Sequence, residues 1–138
     1  MSSRWEHFEH QADIGIRGYG NSPAQAFEQT ALAMSAVITD LILIKTKTVI
    51  EIACDEQDLE LLLVDWINAL IYQMAIHKML FSQFNVNIRN GRLTAQAWGE
   101  KIDVERHHPA VEIKGATYTE LAVYQHDNEW IAQCVVDV

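Results

Sequence analysis

The 138-residue chain predicts an α+β fold in which two main helices pack on an antiparallel-rich β-sheet, and three observations carry that prediction. Two stretches, residues 22–40 and 55–77, place apolar residues at helical spacing behind polar capping residues. Around them the apolar period falls to two, first near residues 8–17, again at 47–54, and repeatedly after Phe81. An apolar fraction of 49% suffices for one real core, and no repeat, low-complexity segment or linker interrupts it. Residues 1–138 are therefore expected to form a single domain, with the element order β-α-β-α followed by five or so strands.

Phe8, Ala12, Ile14 and Ile16 occupy even positions, and His7, Glu9, Gln11, Asp13 and Arg17 odd ones, which predicts one half-buried strand with Asp13 facing away from the core. Asp is depleted in strands, and Gly15, next on the same face, leaves room for a metal ion, a partner or another strand. After the turn Gly18-Tyr19-Gly20-Asn21, Ser22-Pro23-Ala24-Gln25 opens a helix with a capping box and proline at the first helical position. Phe27, Ala31, Met34 and Ile38 give it one buried face, and it should end near Thr39-Asp40. A carboxylate there meets the negative end of the helix macrodipole, at a cost of about 0.3–1 kcal/mol. Asp40 thus calls for a compensating cation or a functional reason, or else it caps the following turn.

Residues 47–54 read as a β-branched strand, and Asp55-Glu56-Gln57-Asp58 as the acidic cap of a long helix. Its stripe of Leu59, Leu62, Leu63, Trp66, Leu70, Ile71 and Met74 is broad enough to be covered on two sides. Asp65 and Asn68 share one side of this helix, where a structural hydrogen bond competes with a site-lining role. His77 suits the last turn. Asn90-Gly91, between the alternating runs 81–88 and 93–98, is a hairpin signal. The segment 103–109 reads as a polar connection; His107 and His108 point to opposite sides of an extended chain, which argues against zinc. Val111–Lys114, Tyr118–Tyr124 and Trp130–Val136 read as the closing strands, the last two a hairpin around the polar turn 125–129.

The formal charge of -9, from 10 Lys and Arg against 19 Asp and Glu, argues against a direct grip on nucleic acid and favours a basic protein partner. Cys54 and Cys134 both fall in strands and read as buried thiols of a reducing compartment. No apolar leader opens the chain, and its most apolar segment is broken by Glu60, Asp65 and Asn68, so a soluble cytoplasmic protein without membrane contact is expected. Neither a P-loop, a nucleophile elbow, a Cys-x-x-Cys nor a His-Glu-x-x-His motif occurs. A binding or accessory protein, with no catalytic residue, fits better than an enzyme. If the last strand lies beside the first, Asp13, Asp137 and the terminal carboxylate of Val138 bring several hard oxygens together, which suit calcium, magnesium or manganese. Otherwise Asp13 bonds a backbone N–H or an arginine, and the tail is solvated. Lys114, on a polar strand face, could anchor Asp13, Asp40 or Glu120, or meet a phosphate or a partner.

Several of these residues also carry a resemblance. His10-Gln11-Ala12-Asp13-Ile14-Gly15-Ile16, the helix from Ala26-Phe27-Glu28 to Thr39-Asp40, and Leu62-Leu63-Val64-Asp65-Trp66-Ile67-Asn68 are three of its parts. Trp98-Gly99-Glu100, Glu112-Ile113-Lys114-Gly115-Ala116-Thr117-Tyr118 and the final Val136-Asp137-Val138 are the others. In joint order and spacing they resemble the archease family over essentially the whole chain. Gln11 stands where the family more usually has Thr, and Val138 where Ile is common. The resemblance implies an accessory factor of the RtcB-type RNA-splicing ligase, which joins a 2′,3′-cyclic phosphate or 3′-phosphate end to a 5′-hydroxyl after guanylylation of a histidine. It implies promotion of that guanylylation and of multiple turnover, and a divalent cation, calcium by family precedent, at Asp13, Asp137 and Val138. It also implies a chaperone-type α+β fold, and as an alternative role a chaperone-like modulator of an RNA-modifying enzyme such as a tRNA methyltransferase.

Overall fold

The computed structural model describes residues 3–138. The chain opens with a hairpin, β1 (Arg4–His10) and β2 (Asp13–Gly20), rather than one strand. Gln11 adopts a positive φ of 54° at the turn, a conformation that Gly or Asn would signal and Gln does not. The two-residue turn pairs His10 with Asp13 and Phe8 with Gly15, so even residues of β1 share a face with odd residues of β2. Phe8 therefore lies on the face opposite Ile14 and Ile16, which corrects the single alternation through Gln11. What approaches Gly15 is the Phe8 ring, into which a Cβ at Gly15 would run.

Helix α1 (Pro23–Ile38) starts as its sequence requires, with Ser22 Oγ accepting the Gln25 N–H at 3.2 Å; the Gln25 side chain reaches back to the Asn21 N–H at 2.8 Å. It lies close on β2 because Gly18 has no side chain: a Cβ there would strike the Ala26 carbonyl and Thr30 backbone. After Thr39 a 3-10 turn (Leu41–Leu43) leads to β3 (Thr48–Asp55). Asp58 then caps α2 (Leu59–His77) by accepting the Glu60 and Leu61 N–H groups. Strands β4 (Met79–Arg89) and β5 (Arg92–Lys101) form the expected Asn90-Gly91 hairpin, both turn residues having positive φ.

The segment 103–109 is not a plain connection, because Asp103 caps a short helix, α3 (Val104–His107), and His107 is fully buried. Residues 111–114 are irregular; the chain pairs only at β6 (Gly115–Ala116), and the next strand, β7, is shorter than expected (Ala122–His126). A tight turn with positive φ at Asp127 and Asn128 then leads into β8 (Glu129–Asp137).

Helices on antiparallel strands are as the sequence implies, but the strands divide into two sheets. One has the order β1-β2-β8-β6, with β7 also on β8; the other is β3-β5-β4. Each helix touches both: α1 lies on β2, β8 and β4, and α2 on β3, β4, β6 and β7. Trp66 pins the helices together by donating its indole N–H to the Phe27 carbonyl at 3.1 Å, and its ring meets Phe84 edge-on. Fully burying Trp66, Phe27 or Phe81 contributes roughly 1.5–3 kcal/mol each, so this shared core dominates the fold's stability.

Candidate functional site

Strand register assembles an acidic corner. β2 and β8 run antiparallel with Ile14 opposite Val136, so one step further along Asp13 stands beside Asp137. Ile14 and Val136 pack into the core, which turns both carboxylates to the opposite face. On the other edge of β8, Gly115 pairs with Asp137, and the Lys114 N–H donates to the Asp137 carbonyl at 2.7 Å. Asn68 on α2 steadies that edge: its Oδ1 accepts the Ala116 N–H at 2.9 Å, which is the structural hydrogen bond expected of it. Val138 follows as the next residue, half-buried, so Asp13, Asp137, Val138 and the backbone of Lys114 meet at one end of the sheet.

The remaining candidates are distributed differently. Asp40 is exposed, and its Oδ1 accepts the Ile42 N–H at 3.3 Å, capping the 3-10 turn. Glu120 sits in a turn with φ of 55°; its carbonyl, not its carboxylate, is engaged, by the Gln133 side chain at 2.9 Å. Gln133 lies four residues before Asp137 on β8, and the neighbouring Thr119 carbonyl accepts the Val135 N–H at 3.2 Å, two residues before Asp137. Asp65 is exposed on α2, with its carboxyl raised by desolvation and by the charge of Glu56. Cys54, half-buried, and Cys134, buried, are both free; burial pushes their thiols up, to about 11 and about 12.

Among the described residues no three His, Cys, Asp or Glu side chains are grouped to hold a metal ion. The two aspartate carboxylates are hard oxygen donors of the kind that calcium, magnesium or manganese take, and they would leave most of a coordination sphere to be supplied from elsewhere. Among the described residues no ion pair engages Asp13, Asp137 or Lys114.

A second carboxylate centre was not legible in the sequence. Glu100, 4% exposed, receives Arg106 at 2.7 Å on Oε1. On Oε2 it accepts the Lys45 N–H at 2.8 Å and faces His107 Nε2 at 3.0 Å. His107 Nδ1 accepts the Asp103 N–H at 2.9 Å, so the imidazole proton resides on Nε2 and donates to Glu100. Burial alone would raise the Glu100 carboxyl, but the Lys45 N–H, Arg106 and His107 outweigh it and hold it at about 2. Thr39 Oγ1 donates to the His107 carbonyl, and the Ala110 N–H to the Ile38 carbonyl at 2.8 Å. The centre thus fastens the 103–110 segment to the end of α1. The Gly99-Glu100 pair and Arg106-His107, seven residues apart, were its only sequence trace.

Two antiparallel sheets sharing two helices, with acidic strand ends at one corner, define a class that comparison with known proteins makes definite. The profile of the Archease protein family matches residues 5–138, and the chain belongs to that family. It is 41% identical to the archease of Pyrococcus abyssi over 140 residues, covering 98% of this chain and 99% of that one. Protein 1598 of Methanobacterium thermoautotrophicum, solved in solution, superposes with a TM-score of 0.86 at 32% identity, over 97% of this chain and 98% of the other. An archease of Thermotoga maritima, described as a possible chaperone, shares the fold with a TM-score of 0.64 at 19% identity, over 95% and 94% of the two chains.

Proposed function

We propose that this chain is an accessory protein, not an enzyme, that activates an RtcB-type RNA ligase in the cytoplasm during tRNA splicing and RNA repair. It promotes the ligase's guanylylation and multiple turnover through a divalent cation, calcium first and magnesium or manganese as alternatives, held by Asp13, Asp137 and the Val138 carboxylate. The observation that carries this reading is the placing of Asp13 and Asp137 side by side on the same face of adjacent strand ends. Two neighbouring carboxylates repel, and a cation between them removes that repulsion while keeping coordination sites for oxygens from a partner. Such an ion at an exposed corner can be presented to phosphate oxygens in another protein's active site, where its charge would orient them. Lys114, exposed next to Asp137, is placed to meet the same phosphates or to hold the corner in place.

The test is guanylylation and RNA joining by a cognate ligase at substoichiometric concentration, with wild type, Asp13→Ala and Asp137→Ala. Stimulation should be lost in both variants and retained in Glu120→Ala. Full stimulation by Asp13→Ala, with undiminished cation binding, would sink the mechanism. A second reading is a chaperone-like modulator of an RNA-modifying enzyme such as a tRNA methyltransferase. It draws support from the description of the Thermotoga maritima protein and from the exposed Tyr72, Tyr118 and Ile42. That role predicts suppression of client aggregation whether or not Asp13 is present.

A further inference from the structure

An open cavity of about 600 Å³ lies between the start of β3 and α3, on the solvent side of the Glu100 centre. Its walls include Lys47, Thr48, Lys101, Ile102, Val104 and Arg106. The charge there runs against that of the molecule. On a chain with 19 acids and 10 Lys and Arg, the lining of this cavity holds three cations, Lys47, Lys101 and Arg106, against two acids, Glu100 and Asp103.

Both acids of the wall are already occupied. Glu100 is taken by Arg106, His107 and the Lys45 N–H, and Asp103 Oδ1 accepts the Glu105 and Arg106 N–H groups at 3.1 and 3.3 Å. The Lys47 ammonium, 63% exposed, pairs at 3.8 Å with the same Glu100 carboxylate that Arg106 holds at 2.7 Å, so two cations share one carboxylate and the lining keeps an excess of one positive charge. The same lining carries aliphatic side chains in water: Val104 is 66% exposed and Ile102 38%. Thr48 and Val49 also begin β3, an edge strand that is hydrogen-bonded on one side only. Aliphatic rim, free strand edge and lysines together suit a polypeptide; no aromatic side chain lines the cavity to stack nucleobases.

We infer that this cavity is a docking site for an acidic protein segment carrying aliphatic side chains, distinct from the acidic corner formed by Asp13 and Asp137. The occupant's carboxylates meet Lys47, since the Lys101 ammonium already donates to the His77 carbonyl at 2.7 Å, and its aliphatic groups cover Val104 and Ile102. The inference stands whether or not the partner is the ligase.

A fluorescently labelled synthetic peptide of alternating Glu and Leu is the probe, titrated with the full chain at low salt and followed by anisotropy, with amide shifts mapped by NMR. Saturable binding is expected, with shifts concentrated at residues 45–49 and 100–106. Lys47→Glu and Val104→Asp should each weaken it about tenfold, the scale of one well-placed contact. A Gln-Leu peptide should bind less well, and Asp13→Ala should bind like wild type. Both test residues are exposed, so the variants keep the wild-type circular dichroism. A flat titration, or binding indifferent to both substitutions, overturns the inference. So does an oligouridylate that binds at these residues and displaces the peptide, which would make the cavity an RNA surface.

Discussion

The two carboxylate centres of the molecule are built on opposite principles. Glu100 is inside, and both of its oxygens are used by donors from the protein itself. Asp13 and Asp137 stand at strand ends where the protein contributes only backbone pairing around them. A buried charge that is satisfied by its own chain has nothing left to offer a ligand, and its removal unbalances its partners. Two like charges at half-buried and exposed strand ends, with no ion pair among the described residues, do little for the fold and keep their coordination capacity. The difference separates an acid that serves structure from acids that we propose serve binding, and each of the following substitutions can break that separation.

The largest effect is expected from Glu100→Ala, which strands Arg106, the Lys45 N–H and the His107 N–H at a buried site. A loss of about 3–5 kcal/mol in urea unfolding follows from removing one side of a buried ionic contact. Asp13→Ala, measured without divalent cations, should stay within about 0.5 kcal/mol of wild type. Equal losses at the two positions would erase the distinction.

A cation supplies the converse measurement. With free calcium at one hundred times its dissociation constant, wild type should gain about 2.7 kcal/mol and melt at a higher temperature. Asp137→Ala should gain nothing, and Glu100→Gln, though less stable, should gain as much as wild type. A calcium-induced rise in melting temperature that survives in Asp137→Ala would move the site elsewhere.

Acid sharpens the contrast at Glu100. Its folded carboxyl titrates at about 2 against an ordinary value of 4.5, so the unfolded chain takes up the proton first as the pH falls. The stabilisation is full above the ordinary value and is lost as the pH drops from about 4.5 to about 2. Glu28 works the other way. Burial raises its carboxyl, outweighing the Val86 N–H that favours the ionised form, so here the folded chain takes up the proton first and the resulting gain falls above the ordinary value, before the Glu100 loss sets in. Glu100→Gln should remove most of the acid slope in that window, read from denaturant midpoints at successive pH values, while Asp13→Asn should leave it in place.

How much of this was legible in sequence depends on whether the determining contact is local. Ser22, Asp58 and Asn90-Gly91 act within a few residues of themselves, and the caps and hairpin they predict are present. Gln11-Ala12 hides a turn because neither residue advertises a positive φ, and the surrounding alternation continues across it. The error transferred Phe8 to the wrong face while leaving Asp13 on the right one. Asp13 and Asp137 could be paired only by supposing that the first and last strands adjoin, since their proximity is a property of the β2–β8 register. The division into two sheets and the burial of His107 depend on contacts far apart in sequence, and no local pattern encodes them.

The smallest effects come from two capping acids, one within the Glu100 centre and one outside both centres. Asp103 accepts two N–H groups and opens the helix that delivers Arg106 and His107 to Glu100. Asp40 accepts one N–H, at 3.3 Å, in a three-residue turn. Asp103→Ala should therefore cost about 1 kcal/mol, and Asp40→Ala only a few tenths. Because α3 has only four residues, its loss of a cap should also loosen His107, visible as faster exchange of the Asp103 and His107 amides with deuterated solvent. Asp40→Ala should leave those amides protected. If instead it unprotected them, the last turn of α1 and α3 would be a single cooperative unit, joined through Thr39 and the Ile38 carbonyl, and the structural centre would extend as far as Asp40.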